Sequence, residues 1–308
     1  MNETFGMGRY PFEIPVEGAA PVPAVRIVGK NPGKTLVVTA GVHGDEYVAV
    51  QAVREALKEI REEELTGQII FVPLVNSGGF YEGTCLFPED GENLNRCFPG
   101  KREGSATWRT AFALEKHLYA EADFLLDLHG GGVFETMTPL VFFPVDAGKE
   151  IEEITRRAAK NLSLSYLVQS YAKDGLYSWA AQRGIPAMLV ERGGGGTWNR
   201  EEVAACRQNI YETMDFLGIR ACGERSRKPR EICSAQYEVA REKGYWYCFK
   251  RAGEAFAQGE LLGEIRDAED RSLQKVRALY DGVLLYFTHS LGVKPGVPLA
   301  AYGMLKED

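Results

Sequence analysis

Polar clusters stand directly behind apolar, strand-like runs in this chain, and that arrangement limits the fold more than any other feature. Thr35–Thr39 (TLVVT) is a short β-branched run, followed by His43-Gly44-Asp45-Glu46. Gln68–Val75 reads as a second strand, with Asn95-Arg96 in the long loop behind it. Phe124–Leu128 leads straight into His129, and Pro186–Val190 straight into Glu191. Between these runs the spacing predicts helices. Ala49, Ala52, Val53, Ala56, Leu57 and Ile60 recur at three- and four-residue steps, which is helical periodicity, and Asp45 is placed to cap them. Further helices are expected over Ser105–Ala120, Lys149–Leu162 and Arg200–Leu217. Such alternation predicts an α/β fold: a mixed, mostly parallel sheet with helices on both faces.

In a sheet of this kind the carboxyl ends of the strands share one edge, and sites form there. Two imidazoles, two carboxylates and an Asn-Arg pair therefore meet at one place. His43, Glu46 and His129 make up a catalytic zinc set with a coordination position left for water. Zinc brings the pKa of that water towards ~7, which makes it a nucleophile. Glu191 is the remaining carboxylate on the same edge and can act as general base. Each piece alone is weak. A single histidine at a strand end is more often a hydrogen-bonded surface group, and H-x-x-E is a loose pattern. The conjunction carries the weight.

The character of the chain changes after Leu217. Gly223–Glu231 (GERSRKPRE) looks like a linker. Beyond it only short strand patterns occur, at Tyr237–Arg241, Tyr245–Phe249, Leu261–Arg266, Lys275–Leu279, Val283–Phe287 and Pro298–Tyr302. They predict a small all-β sandwich or barrel. The expected organisation is a catalytic domain over 1–222 and a β domain over 223–308. A length of 308 residues suits that plan. The net charge of −7 gives no basic footprint for nucleic acid and a poor match to anionic membranes. No apolar run approaches the ~18 residues of a membrane span, and Met1–Tyr10 lacks the features of a signal peptide. The six cysteines contain no C-x-x-C pair, so they read as reduced thiols of a cytoplasmic protein.

Four stretches carry a resemblance: GVHGDE (Gly41–Glu46), DGENLNRCFPG (Asp90–Gly100), DLHGG (Asp127–Gly131) and GIPAMLVERGG (Gly184–Gly194). In this order they resemble the succinylglutamate desuccinylase/aspartoacylase family of the zinc carboxypeptidase-like clan. The resemblance implies that His43, Glu46 and His129 bind zinc and that Glu191 is general base and acid. It also implies that Arg96, with Asn95, holds a substrate carboxylate. A guanidinium pairs bidentately with a carboxylate, although a structural salt bridge is the plain alternative. GELLGEIRD (Gly259–Asp267) and YDGVLLY (Tyr280–Tyr286) resemble a lipoyl or biotinyl carrier fold. No lysine occupies the YDGV turn, so no attached lipoyl or biotin is expected. The sequence departs from the family in two places. Cys85 stands about where relatives often carry an arginine that polarises the scissile carbonyl, so either that oxyanion contact is altered or weakened here or Arg96, Arg102 or the metal covers it. Asn93 stands where relatives often have an aspartate that orients a zinc-bound histidine; an amide still accepts the ring N–H.

The function expected is hydrolysis of an amide bond in a small N-acyl amino acid. A metallocarboxypeptidase acting on peptides would use the same groups, and a non-catalytic zinc- or ligand-binding relative is the third reading. A closed pocket at His43 favours the deacylase and an open groove the peptidase. Self-association stays open. Other prominent residues read plainly: His117 and His289 as surface groups, and Tyr171 and Tyr177 as packing residues. Arg183 and Arg192 read as either solvated charges or positive potential for an acidic substrate. Gly193–Gly196 reads as a close-packing loop or a flexible turn.

Overall fold

The computed structural model describes residues 5–223 and 228–306. Of the expected linker, residues 224–227 lie outside the described residues. The strands, in chain order, begin with β1 (Gly8–Ile14), β2 (Val22–Val28), β3 (Asn31–Ala40), β4 (Thr66–Val72), β5 (Phe124–His129) and β6 (Glu135–Met137). Next come β7 (Leu140–Pro144), β8 (Tyr166–Ser170), β9 (Ala187–Glu191) and β10 (Arg230–Val239). The last are β11 (Gly244–Cys248), β12 (Ala255–Phe256), β13 (Leu261–Arg266), β14 (Ser272–Arg277), β15 (Gly282–Thr288), β16 (Gly292–Val293) and β17 (Pro298–Leu305). The helices are α1 (Tyr47–Glu59), α2 (Ser77–Glu82), α3 (Ala106–Leu114), α4 (Lys149–Lys160), α5 (Leu176–Gln182) and α6 (Arg200–Leu217).

A 13-stranded sheet runs in the order β1-β2-β4-β3-β5-β9-β7-β8-β10-β17-β15-β12, with β6 added on β15. Its centre, β4-β3-β5-β9, is parallel, so Ala40, His129 and Glu191 close their strands on one edge. Side chains alternate between faces along each strand. Leu126, Leu128, Met188 and Val190 go to one face, under α1, α4 and α6. Leu125 and Leu189 go to the other, under α3 and α5. Asp127 and His129 share the second face with Leu125, two residues apart along β5. The expected two-faced α/β architecture is therefore present.

The β-rich part after Leu217 is a two-sheet sandwich, and one of its sheets is the end of the large sheet. β10 pairs in parallel with β8, with Ile232 opposite Val168. The facing sheet is β14-β13-β11-β16. Trp246, Ile265, Val276, Leu284 and Tyr302 fill the space between.

Several local expectations shift. Asp45 does not cap α1, whose N-cap is Glu46 with no side-chain hydrogen bond. Asp45 Oδ2 instead accepts from the Val133 backbone N–H at 2.9 Å. The helix expected over Ser105–Ala120 is α-helical only to Leu114, and Glu115–Tyr119 widens into a π turn. The strand expected to reach Val75 stops at Val72, and His129 and Glu191 belong to their strands. β1 went unseen because Pro11 breaks its pattern; at the rim of the sheet a missing N–H costs little.

β5 is the middle of the molecule, and Leu126 on it is fully buried. Leu126→Ala should lower the unfolding free energy by about 2–5 kcal/mol, measured as a shift of the denaturant midpoint at unchanged slope. A loss below about 1 kcal/mol would mean that this position is not sealed core.

Candidate metal and active site

The loop after β3 carries His43 and Glu46, and the end of β5 carries His129. Their donor atoms all lie within 4.8 Å of one another. His43 Nδ1 is 2.6 Å from Glu46 Oε1, and His129 Nδ1 is 2.9 Å from Glu46 Oε2. Both imidazoles thus turn the same nitrogen inward. The outer nitrogens are held elsewhere: His43 Nε2 lies 3.0 Å from Asn93 Oδ1, and His129 Nε2 lies 3.1 Å from Asp127 Oδ2. An oxygen acceptor at Nε2 keeps the proton there and leaves the Nδ1 lone pair free for a cation. The predicted Asn93 contact is present. Asp127 was not assigned a role from sequence; its position two residues before His129 on one strand face is the signal that could have found it. Thr39 Oγ1 donates to its other oxygen at 2.7 Å.

The electrostatics favour positive charge between these groups. Burial alone would raise the Glu46 pKa, but His43 and His129 outweigh it and hold the carboxyl at about 2. Burial would lower the pKa of His129, yet Asp127 and Glu46 on either side push it well above the ordinary histidine value. A buried site that draws positive charge to His129 beside an ionised carboxylate also fits a divalent ion there, and two nitrogens with one carboxylate is a zinc donor set.

His129 and Glu191 are direct partners in the β5–β9 ladder. Neighbouring strands lie ~4.8 Å apart, so register alone sets the carboxyl beside the donor set. Glu191 Oε2 is buried and has no hydrogen-bond partner. Burial, then the charge of Glu46, drive its pKa well above the ordinary carboxylate value, with His129 opposing.

A cavity of about 610 Å³ opens over these groups, and His43, Asn95, Arg96, His129 and Glu191 all line it. Asn95 Oδ1 accepts from the Leu176 N–H at 2.9 Å, which ties the turn before Arg96 to the start of α5. Arg96 Nη1 donates to the Asn95 carbonyl at 2.7 Å, and the residue is exposed. Tyr171 and Tyr177 line the cavity, as do Tyr237 and Tyr286 of the β-rich part. Tyr286 was missed from sequence. It follows a register irregularity between Leu284 and Tyr286 on β15, and such bulges re-aim side chains without a local sequence mark.

Other candidates fall away from the cavity. Arg102 pairs with Glu17 at the surface. Arg183 faces Glu115 at 3.7 Å. Arg192 is buried and bound to Asn209, Glu202 and the Ser163 carbonyl, so it is a structural residue. His289 is exposed and lies 3.0 Å from Thr136 Oγ1, and His117 is half-buried. Gly193–Gly196 packs against the protein itself: a Cβ on Gly193 would meet Val48 at 2.5 Å, and one on Gly194 the Glu135 carbonyl at 2.5 Å. Cys85 is half-buried near the donor set. Burial, with Asp45 and Glu46 nearby, pushes its thiol up to about 11. It therefore stays neutral, a weak donor.

Residues 32–217 match the succinylglutamate desuccinylase/aspartoacylase catalytic domain. The chain belongs to that family. It is 29% identical over 304 residues to the N-alpha-acetyl-L-2,4-diaminobutyric acid deacetylase of Halomonas elongata, covering 94% of this chain and 87% of that one. The structure of a succinylglutamate desuccinylase/aspartoacylase from Rhodobacter sphaeroides superposes with a TM-score of 0.87 at 26% identity, covering 98% of this chain and 97% of that one. The product-bound ectoine utilization protein EutE (DoeB) of Ruegeria pomeroyi shares the fold, with a TM-score of 0.86 at 24% identity over 97% of this chain and 96% of that one. Among the described residues no helix is long and apolar enough to cross a membrane.

Asp127→Ala removes the acceptor that fixes His129 Nε2–H. Zinc affinity should fall by about 10–100-fold, read by competition with a chromogenic chelator. An unchanged affinity would free Asp127 from this role.

Proposed function

We propose that this protein is a zinc-dependent amidohydrolase that removes the acyl group from small N-acyl amino acids. His43, Glu46 and His129 would hold the metal, Glu191 would act as general base and acid, and Arg96 with Asn95 would hold the substrate carboxylate. The observation that carries this is the in-register pair His129–Glu191, with the Nδ1 atoms of both histidines on Glu46. Membership of a deacylase family and the deacetylase relative support it.

Zinc bound there supplies a Lewis acid that polarises a carbonyl and brings the pKa of a water to ~7. The chain supplies the rest. Glu191 takes the proton of the attacking water on its unpartnered oxygen and passes it to the departing amine nitrogen. Glu46 stays ionised throughout. Arg96 fixes the carboxylate and so sets the scissile carbon opposite Glu191. Asn95 locks the Arg96 turn against α5.

A peptidase needs an open channel for a chain. Here strands β10 and β15 bring Tyr237 and Tyr286 over the cavity, which favours a small substrate. This gives the two parts of the chain, 1–222 and 223–308, distinct tasks: catalysis, and closure of the pocket. Among the described residues Cys85, Cys97, Cys206, Cys233 and Cys248 are free thiols, in keeping with a reducing cytoplasm.

Glu191→Gln keeps the pocket shape but cannot take a proton. It should retain one zinc per chain and lose about 10²–10⁴-fold in kcat; near-normal turnover would end the general-base role. Arg96→Ala should raise KM for free-acid substrates far more than it lowers kcat. An equal response from carboxyl-amidated substrates would show that Arg96 is not the anchor.

A further inference from the structure

The cavity over Glu191 is large and its charge is sparse. A volume of about 610 Å³ falls within the ~300–1,000 Å³ of clefts that take drug-sized ligands. An acetylated small amino acid would leave much of it filled by water.

The cations are few. Among the described residues that line the cavity, Arg96 is the only lysine or arginine. Arg192 and Arg183, the neighbouring guanidiniums in sequence, are engaged elsewhere. Carboxylates are more frequent: Glu191 and Glu238 stand in the wall, and Glu46 lies just behind the two histidines. One guanidinium pairs with one carboxylate. A second substrate carboxylate would enter a partly dry site with like charges and only neutral hydroxyl and amide groups to meet it, which disfavours its ionised form.

The apolar side is ordered. Leu189 on β9 is the register partner of Phe142 on β7. Phe142 is the partner of Val168 on β8, and Val168 of Ile232 on β10. Register partners present their side chains on a common face of the sheet. All four line the cavity. At ~4.8 Å between strands, the row extends about 14 Å. It starts two residues from Glu191 on the same face of β9. Its side chains contain no polar atom, and Phe142 is the one member left half-buried.

We infer that the preferred substrates carry a single carboxylate, held by Arg96, and an uncharged apolar acyl group longer than acetyl that lies along Leu189, Phe142, Val168 and Ile232. This inference rests on the deacylase reading above and names its substrate class. Succinyl derivatives, with a second carboxylate, are poor substrates for this chain. Leu189 and Phe142 are the specificity-determining residues nearest the reacting carbon.

The test is a homologous series on the zinc-loaded full chain: N-acetyl, N-butanoyl, N-hexanoyl and N-succinyl derivatives of L-alanine and of L-lysine, compared by kcat/KM. Each methylene moved from water into an apolar lining is worth about three- to fourfold. The hexanoyl compound should exceed the acetyl compound by at least about tenfold, and the succinyl compound should fall below both. A flat series, an acetyl optimum or a succinyl preference each overturns the inference. Calorimetry on Glu191→Gln reads selectivity without turnover. If no compound is cleaved, the deacylase reading fails, and tighter binding of hexanoyl than of succinyl and acetyl ligands still upholds the pocket chemistry. Absence of that order in binding overturns it. Phe142→Arg supplies a second cation and should raise the succinyl-to-hexanoyl ratio at least about tenfold. If that variant does not fold, the wild-type series and the binding order decide.

Discussion

Glu46 bridges two imidazoles in a place from which water is almost excluded. Its side chain is 7% exposed and that of His129 is 1% exposed. A lone carboxylate would not stay ionised there. It does so because both Nδ1 atoms and the Gly130 N–H converge on it. Those imidazoles hold their orientation in turn because Asn93 and Asp127 occupy their outer nitrogens. Removing any member leaves a buried charge or donor without its partner, so the cluster is rigid as a unit. The rest of the active edge is arranged around this cluster.

The sheet supplies the precision. His129 and Glu191 face each other through strand register, and Asp127 lies beside His129 through the two-residue period of a strand. Neither relation depends on a loop. Within the donor set, loop structure enters at His43 and Glu46, and there the backbone is closely packed: a Cβ on Gly44 would come within 2.1 Å of the Gly79 backbone. The β-rich part adds a wall. Because β10 joins the large sheet beside β8, that wall is continuous with the floor under the site.

How much of this was legible depended on range. His43, Glu46, His129 and Glu191 could be read because chemistry-bearing residues sat immediately behind apolar runs, a local pattern. The same logic placed α6 at its observed bounds. Cap chemistry was less readable, since Asp45 met Val133 instead of its own helix. β7 and β8 went unread because short apolar runs such as LVFFP and YLVQS carry no clear period. With them went the apolar row from Leu189 to Ile232, which exists only through pairing across four strands. Tyr286 was hidden for the same reason, as it reaches the cavity from a strand far along the chain.

The unpaired atoms fit this division between folding and function. Among the described residues four buried side-chain atoms lack partners: Asp45 Oδ1, Arg109 Nε, Arg156 Nε and Glu191 Oε2. A buried acceptor without a donor is a cost that folding normally removes, of about 1–3 kcal/mol. The Glu191 backbone is fixed in register between His129 on β5 and Leu140 on β7, which places its side chain at the edge of the cavity. The sheet thus sets where this carboxyl starts, and burial raises its proton affinity. Under the proposed function a substrate and an attacking water would be the partners of that oxygen, and a site that exchanged them each turnover would have reason to leave the position open.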